Sequence, residues 1–203
     1  MSGISRNVVL EWLSDHVPKS RIEHVLRVET FSAELAHCHE VNPDHAAQAG
    51  LMHDLAKYFK PKKLLKMARK SGMDIDPILD ANPHLLHADV SAIVARQEFG
   101  VSDSSILEAI ANHTLGQPKM DELSCIVFLA DSLEPGRGDT AILQELRQIS
   151  HENLPQAVWM TCDHTLQHLI KTHRAIHPRV ISTRNWFLKS TKTAATPSMV
   201  LVE

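Results

Sequence analysis

Apolar residues recur at helical rather than strand spacing from end to end of this chain, and no stretch alternates strictly between apolar and polar. The periodic segments predict helices beginning near Ser5, Ser20, Asn42, Pro61, Asn82, Asp103, Asp121, Asp139 and Leu154, with a last one after Pro178. Several starts carry groups that would satisfy free backbone N–H donors. Ser20 with Glu23 reads as a capping box, and Asn42-Pro43 and Asn82-Pro83 each pair an N-cap with a proline in the first turn. Gly72, Gly100, Gly116, Gly136 and Gly138 fall between the periodic segments, where helices stop. With no repeat, no Gly/Ser linker and no charge block, the pattern predicts one all-α domain over residues 1–190 and an irregular tail over residues 191–203.

Composition fits this picture and removes several function classes. A chain of 203 residues, 43% hydrophobic and 22% charged, is long enough to bury a sizeable core. Its 21 basic and 24 acidic residues leave a formal charge of -3, so no general pull towards nucleic acid or an anionic membrane is expected. Three Trp, one Tyr and five Phe supply no stacking platform for single-stranded nucleic acid. No window approaches ~20 apolar residues and the first twenty residues lack a signal-type apolar run, so neither a membrane span nor secretion is expected. The cysteines, Cys38, Cys125 and Cys162, are odd in number and outside any C-x-x-C pair, as free thiols of a cytoplasmic protein would be. What composition leaves over is fourteen histidines.

Some of them stand where leucines should. A His53-Asp54 dipeptide alone means little, since chance gives about 0.8 such pairs in this composition. Context adds more. The apolar stripe of Val28, Phe31 and Leu35 runs back by four residues to His24. Ile106, Ala109 and Ile110 lead to His113, and Leu123, Val127 and Ala130 lead to Asp131. Val90 and Val94 lie three and seven residues after His87. A lone histidine on an apolar face is more often a hydrogen-bonded core residue than a ligand. Asp54 and Asp131 are harder to dismiss, because burying a carboxylate costs several kcal/mol without compensation and no arginine is placed by sequence to pair with both. A metal would compensate. Six N/O candidates without cysteine suit iron, manganese or another hard to borderline divalent ion better than a thiolate zinc site.

The order His24, His53-Asp54, His87, His113, Asp131 resembles the HD-domain metal phosphohydrolases. More specifically, the segments RIEH from Arg21, LMHDLAK from Leu51, AIANHTLG from Ala109 and FLADSLEPGR from Phe128 are similar to the YqeK-type symmetrical bis(5'-nucleosyl)-tetraphosphatases. The resemblance runs from about Arg21 to Asn185. It implies a helical bundle around a buried dinuclear centre, with His24, His53, Asp54 and Asp131 on one ion, His87, His113 and a second oxygen of Asp54 on the other, and Asp54 as the bridge. It also implies hydrolysis of diadenosine tetraphosphate to two ADP, with two divalent ions, iron foremost, as cofactors. Two positions depart from the common pattern: His87 is followed by Ala88-Asp89 where glycine is usual, and Phe128 stands where tyrosine is frequent.

Around the ligands, Asp54 and Lys57 are the expected catalytic residues, and spacing lets the Lys57 ammonium reach phosphate beside the metals. Arg137 offers a planar fork to phosphate, and Glu134 is placed to orient a ligand or bind ribose. Arg21, Arg27 and Thr114 complete the expected substrate side. His164 and His168 form an i, i+4 pair with neither an intervening glutamate nor a nearby third ligand, and receive no role. Competing readings are a nucleotidase or deoxynucleoside triphosphate hydrolase on the same site, a non-enzymatic nucleotide- or metal-binding regulator, and a di-iron oxygenase. The expected partner is a nucleotide substrate, and a homodimer stays open.

Overall fold

The computed structural model describes residues 5–194, and among these the chain forms helices and turns without a strand. The helices are α1 (Arg6–His16), α2 (Lys19–Cys38), α3 (Pro43–Met52), α4 (Pro61–Lys70), α5 (Pro77–Ala81), α6 (His87–Phe99), α7 (Ser104–Asn112), α8 (Glu122–Leu133), α9 (Ala141–Glu152), α10 (Leu154–Lys171) and α11 (Pro178–Ala194). Short 3-10 turns occupy Pro83–Leu86 and Pro135–Arg137. The stripes read from sequence face inwards: Val28, Phe31 and Leu35 of α2, Ile106, Ala109 and Ile110 of α7, and Leu123, Val127 and Ala130 of α8 are all buried. They bring α2, α3, α6, α7 and α8 into one bundle, with α2 lying along α3 and α7 between α6 and α8. Helices α9 and α10 cover α8, and α11 closes over α10. No described helix is long and apolar enough to cross a membrane.

The N-caps explain several boundaries. Asn42, Asp103 and Asp121 each accept backbone N–H bonds at the start of α3, α7 and α8. The Ser20–Glu23 capping box does not form. Pro18, held extended, takes the cap position and its carbonyl accepts from Arg21 N at 2.8 Å, so Ser20 already lies inside the helix. Asn82 does not cap α6 either. Its amide donates to Ile78 O and closes α5, a short helix missed in the sequence pattern although Asp76 caps it with bonds from Ile78 N and Leu79 N. Near Asp139 the helix starts two residues later, at Ala141. The expected tail begins inside α11, which continues to Ala194, and the remainder of residues 191–203 lies outside the described residues.

The contact between α2 and α3 matters for chemistry. A Cβ on Gly50 would lie 2.9 Å from Ser32 Oγ and 3.1 Å from both Glu29 Cα and Val28 O, so α3 sits almost directly on the backbone of α2. Only glycine permits that approach. Gly50→Ala is therefore expected to destabilise the protein by about 1–3 kcal/mol, read as a lower midpoint in urea unfolding. An unchanged midpoint would show that the two helices have room to part.

Candidate metal centre

Three of the four histidines sit at helix ends, and the location decides their chemistry. His53 follows the last residue of α3, His113 follows the last residue of α7, and His87 ends the 3-10 turn as α6 begins. Carbonyls in a helix's final turn lack an intrahelical donor. Each histidine uses the carbonyl three residues back: His53 Nδ1 donates to Gly50 O at 2.6 Å, His87 Nδ1 to His84 O at 2.6 Å, and His113 Nδ1 to Ile110 O at 2.7 Å. With the proton held on Nδ1, each Nε2 offers a lone pair inwards. His24 lies inside α2, where the backbone ladder occupies the carbonyls, and it needs another partner. Glu134 supplies it, accepting from His24 Nδ1 at 2.9 Å.

The Nε2 nitrogens converge in two sets. His24 Nε2 and His53 Nε2 are 3.3 Å apart, and Asp131 Oδ1 lies 3.1 Å from the first and 3.7 Å from the second. His87 Nε2 and His113 Nε2 are 3.1 Å apart. Asp54, 1% exposed, stands between the sets with one oxygen towards each. Its Oδ2 is 3.4 Å from His53 Nε2, while its Oδ1 is 3.4 Å from His87 Nε2 and 3.7 Å from His113 Nε2. Asp54 Oδ1 is buried without a hydrogen-bond partner.

These features fit a cation. Ligands cis to one another on a divalent ion, with bonds of ~2.1 Å, are ~3 Å apart, and both pairs of imidazole nitrogens approach that spacing. Burial, reinforced by the charge of Lys57, lowers the His87 imidazole to about 4. Burial, with the charges of His53 and His87, holds His113 well below the ordinary imidazole value. Two neutral nitrogens facing each other at 3.1 Å, beside an orphaned carboxylate oxygen, repel unless a positive charge joins them. Burial opposes ionisation of Asp54 and Asp131, yet their imidazole and cationic neighbours outweigh it and keep both carboxyls well below the usual range. On His53 burial works against the proton, but Asp54 and Asp131 prevail and its pKa is raised.

The surrounding cations change one step of the sequence argument. No single arginine pairs with both aspartates, but two different ones do: Arg21 donates to Asp54 Oδ2 at 2.9 Å, and Arg137 pairs with Asp131 Oδ1. Charge compensation alone thus does not require a metal, and Lys57 already donates to His87 Nε2; the close His24–His53 nitrogens and the orphaned Asp54 Oδ1 still favour one. Lys57 lies in the turn after α3, not on a helix, with its ammonium 3.0 Å from His87 Nε2 and 3.9 Å from Asp54 Oδ1. Thr114 Oγ1 is 3.1 Å from the same His87 nitrogen. The Lys57 and Arg137 side chains remain 35% and 38% exposed, so both reach the solvent side of the centre.

Glu134 takes the first of its two expected roles, orienting His24, and Arg27, expected on the substrate side, pairs with it. Glu134 is buried with both oxygens engaged, Oε1 by His24 and Oε2 by Arg27 and the Gly136 amide, leaving none for ribose. Arg27 lies flat against Gly136, where any Cβ would collide with its guanidinium. The pair forms a brace behind His24. The unusual Asp89 points away from the centre and pairs with Arg179 of α11, while Ala88 and Phe128 are core residues. Among the described residues, the donor atoms of His24–His53–Asp131 and of His53–Asp54–His113 lie within 4.8 Å of one another, His87 Nε2 adjoins the second group through His113 and Asp54 Oδ1, and His164 and His168 belong to neither.

Comparison with known proteins places this arrangement. The HD domain family matches residues 21–136. A protein of Bacillus subtilis (strain 168) named "Bis(5'-nucleosyl)-tetraphosphatase, symmetrical" is 31% identical over 91% of this chain and 98% of its own. One of the same name from Halalkalibacterium halodurans is 30% identical over 93% of this chain and 100% of its own. A crystal structure from Clostridium acetobutylicum, described as a "predicted HD superfamily hydrolase involved in NAD metabolism", superposes with a TM-score of 0.88 at 30% identity, covering 92% of this chain and 98% of that one.

If two ions share Asp54, metal analysis should find two per chain. Asp54→Ala should empty both positions, while His113→Ala should deplete one, and Glu134→Ala should weaken metal affinity by roughly 10- to 100-fold through His24. One ion per fully active chain would contradict the shared-ligand arrangement.

Proposed function

Because the chain belongs to the HD domain family, we propose that it is a metal-dependent hydrolase cleaving diadenosine tetraphosphate symmetrically into two ADP. The structural observation that carries this reading is the single buried carboxylate whose two oxygens face two separate donor sets, with an exposed cation beyond each set. His24, His53, Asp131 and Asp54 Oδ2 would hold one divalent ion, and His87, His113 and Asp54 Oδ1 the other. The all-nitrogen and oxygen donor set points to iron first, with manganese or another divalent ion as alternatives. Two such ions, when bound, supply an acidified water and positive charge for both the attacking and the departing oxygens of in-line displacement at phosphorus.

The chain's own residues set the rest. Imidazole Nδ1 bonds and the Glu134 brace fix the ligands before substrate arrives, so little reorganisation accompanies reaction. Lys57 stands beside the His87–His113 set and Arg137 beside Asp131, so a polyphosphate lying across the centre meets a cation on each side. With the central phosphates held between them, attack falls where each side keeps a nucleoside diphosphate. Arg21 donates to Asp54 Oδ2, and Thr114 offers a hydroxyl next to His87. The identity of the nucleotide rests on the named relatives, while the metal centre by itself supports phosphoanhydride or phosphoester hydrolysis.

Hydrolysis in oxygen-18 water should give two ADP per substrate, with label in the new terminal phosphate of one. ATP plus AMP as the main products would displace the symmetrical assignment. Lys57→Ala and Arg137→Ala should each lower kcat/KM by roughly 1.5–3 kcal/mol of transition-state binding while the fold and metal content persist. Unchanged kinetics in both would remove them from the phosphate grip.

A further inference from the structure

Beyond His87 the molecule opens into a separate cavity of about 420 Å³, between the 83–86 turn and the facing ends of α10 and α11. Leu85, Leu115 and Val180 make its apolar lining, while His84 and His173 contribute hydrogen-bonding groups and Arg174 a positive charge. Two of its lining residues neighbour residues of the metal centre. The carbonyl of His84 receives the His87 Nδ1 proton, and Leu115 directly follows Thr114, whose hydroxyl touches His87 Nε2. Lys57 from the centre and Arg174 from the far wall both act on His84, adding to its partial burial in lowering its pKa.

His173 marks the rim in a second way. It holds φ at 53°, the left-handed region that favours glycine, where α10 ends and Arg174 N bonds back to Leu169 O at 2.9 Å. An imidazole at this position keeps a planar, hydrogen-bonding side chain at the mouth. Among the described residues no group close enough to hold an ion includes these histidines, and His177 is bonded to Asp76 Oδ2 at 2.7 Å. An apolar interior with a cationic rim matches a ligand that is a flat base and sugar at one end and phosphate at the other.

We propose that this cavity seats one nucleoside end of the dinucleotide, with base and ribose against the apolar lining and the α-phosphate towards Arg174 and His84. The inference rests on the hydrolase reading above, and it places the β-phosphate of that half at the metal centre. It is tested with manganese-loaded protein by calorimetry, using ADP and inorganic pyrophosphate as probes in wild type, Arg174→Ala and Ala175→Trp, the last filling the cavity from its exposed wall. ADP should bind about five- to tenfold more weakly in each variant, while pyrophosphate, which lacks the nucleoside but keeps the phosphate that meets Arg174, should weaken in Arg174→Ala and stay within about twofold in Ala175→Trp. ADP affinity unchanged in both variants would overturn the proposal, and so would an equal loss for pyrophosphate in Ala175→Trp. If wild type failed to cleave diadenosine tetraphosphate yet ADP alone weakened in Ala175→Trp, the substrate reading would fall and the nucleoside seat would stand.

Discussion

Every feature of the centre depends on where an imidazole can put its Nδ1 proton. A histidine offers a metal its Nε2 lone pair only if the other nitrogen is already committed, and the commonest available acceptor inside a helical protein is a carbonyl left over at a helix end. His53 and His113 each take a carbonyl three residues back, and His87 Nδ1 shares His84 O with its own backbone N–H, so the ends of α3, α7 and the 83–86 turn place these rings at the centre. Helix length thereby becomes part of the chemistry. Gly50 serves this twice, giving its carbonyl to His53 and, by lacking a Cβ, letting α3 lie close enough to α2 for His53 to meet His24.

Much of this could be read before the fold was known. The helical stripes ending in His24, His113 and Asp131 point to the same interior because period and burial are linked, and the two donor sets follow from chain segments the helices bring together. Boundaries were less legible where two residues competed for one cap. Pro18 displaced Ser20, and Asn82 closed the preceding helix instead of opening the next.

The supports behind the ligands were harder to read because they are long-range. Glu134 lies 110 residues from His24 in sequence, and Arg27 braces it from α2, so spacing along one helix could not reveal whether Glu134 faces ribose or a ligand. The available signal was negative: a ligand histidine in mid-helix has no free carbonyl behind it and needs a side-chain acceptor. The same reasoning explains the arginine pairs. Arg21 and Arg137 approach Asp54 and Asp131 from different elements, and each partially neutralises a carboxylate that sequence left exposed to its full desolvation cost.

The central claim is that the Asp54 carboxylate divides two ion positions between its oxygens. It is tested most directly by anomalous diffraction at the manganese edge from crystals of manganese-loaded protein. Two peaks ~3.5 to 4 Å apart are predicted, one on the Oδ2 side among His24, His53 and Asp131 and one on the Oδ1 side between His87 and His113. A single peak, or two peaks on the same side of Asp54, would contradict the account.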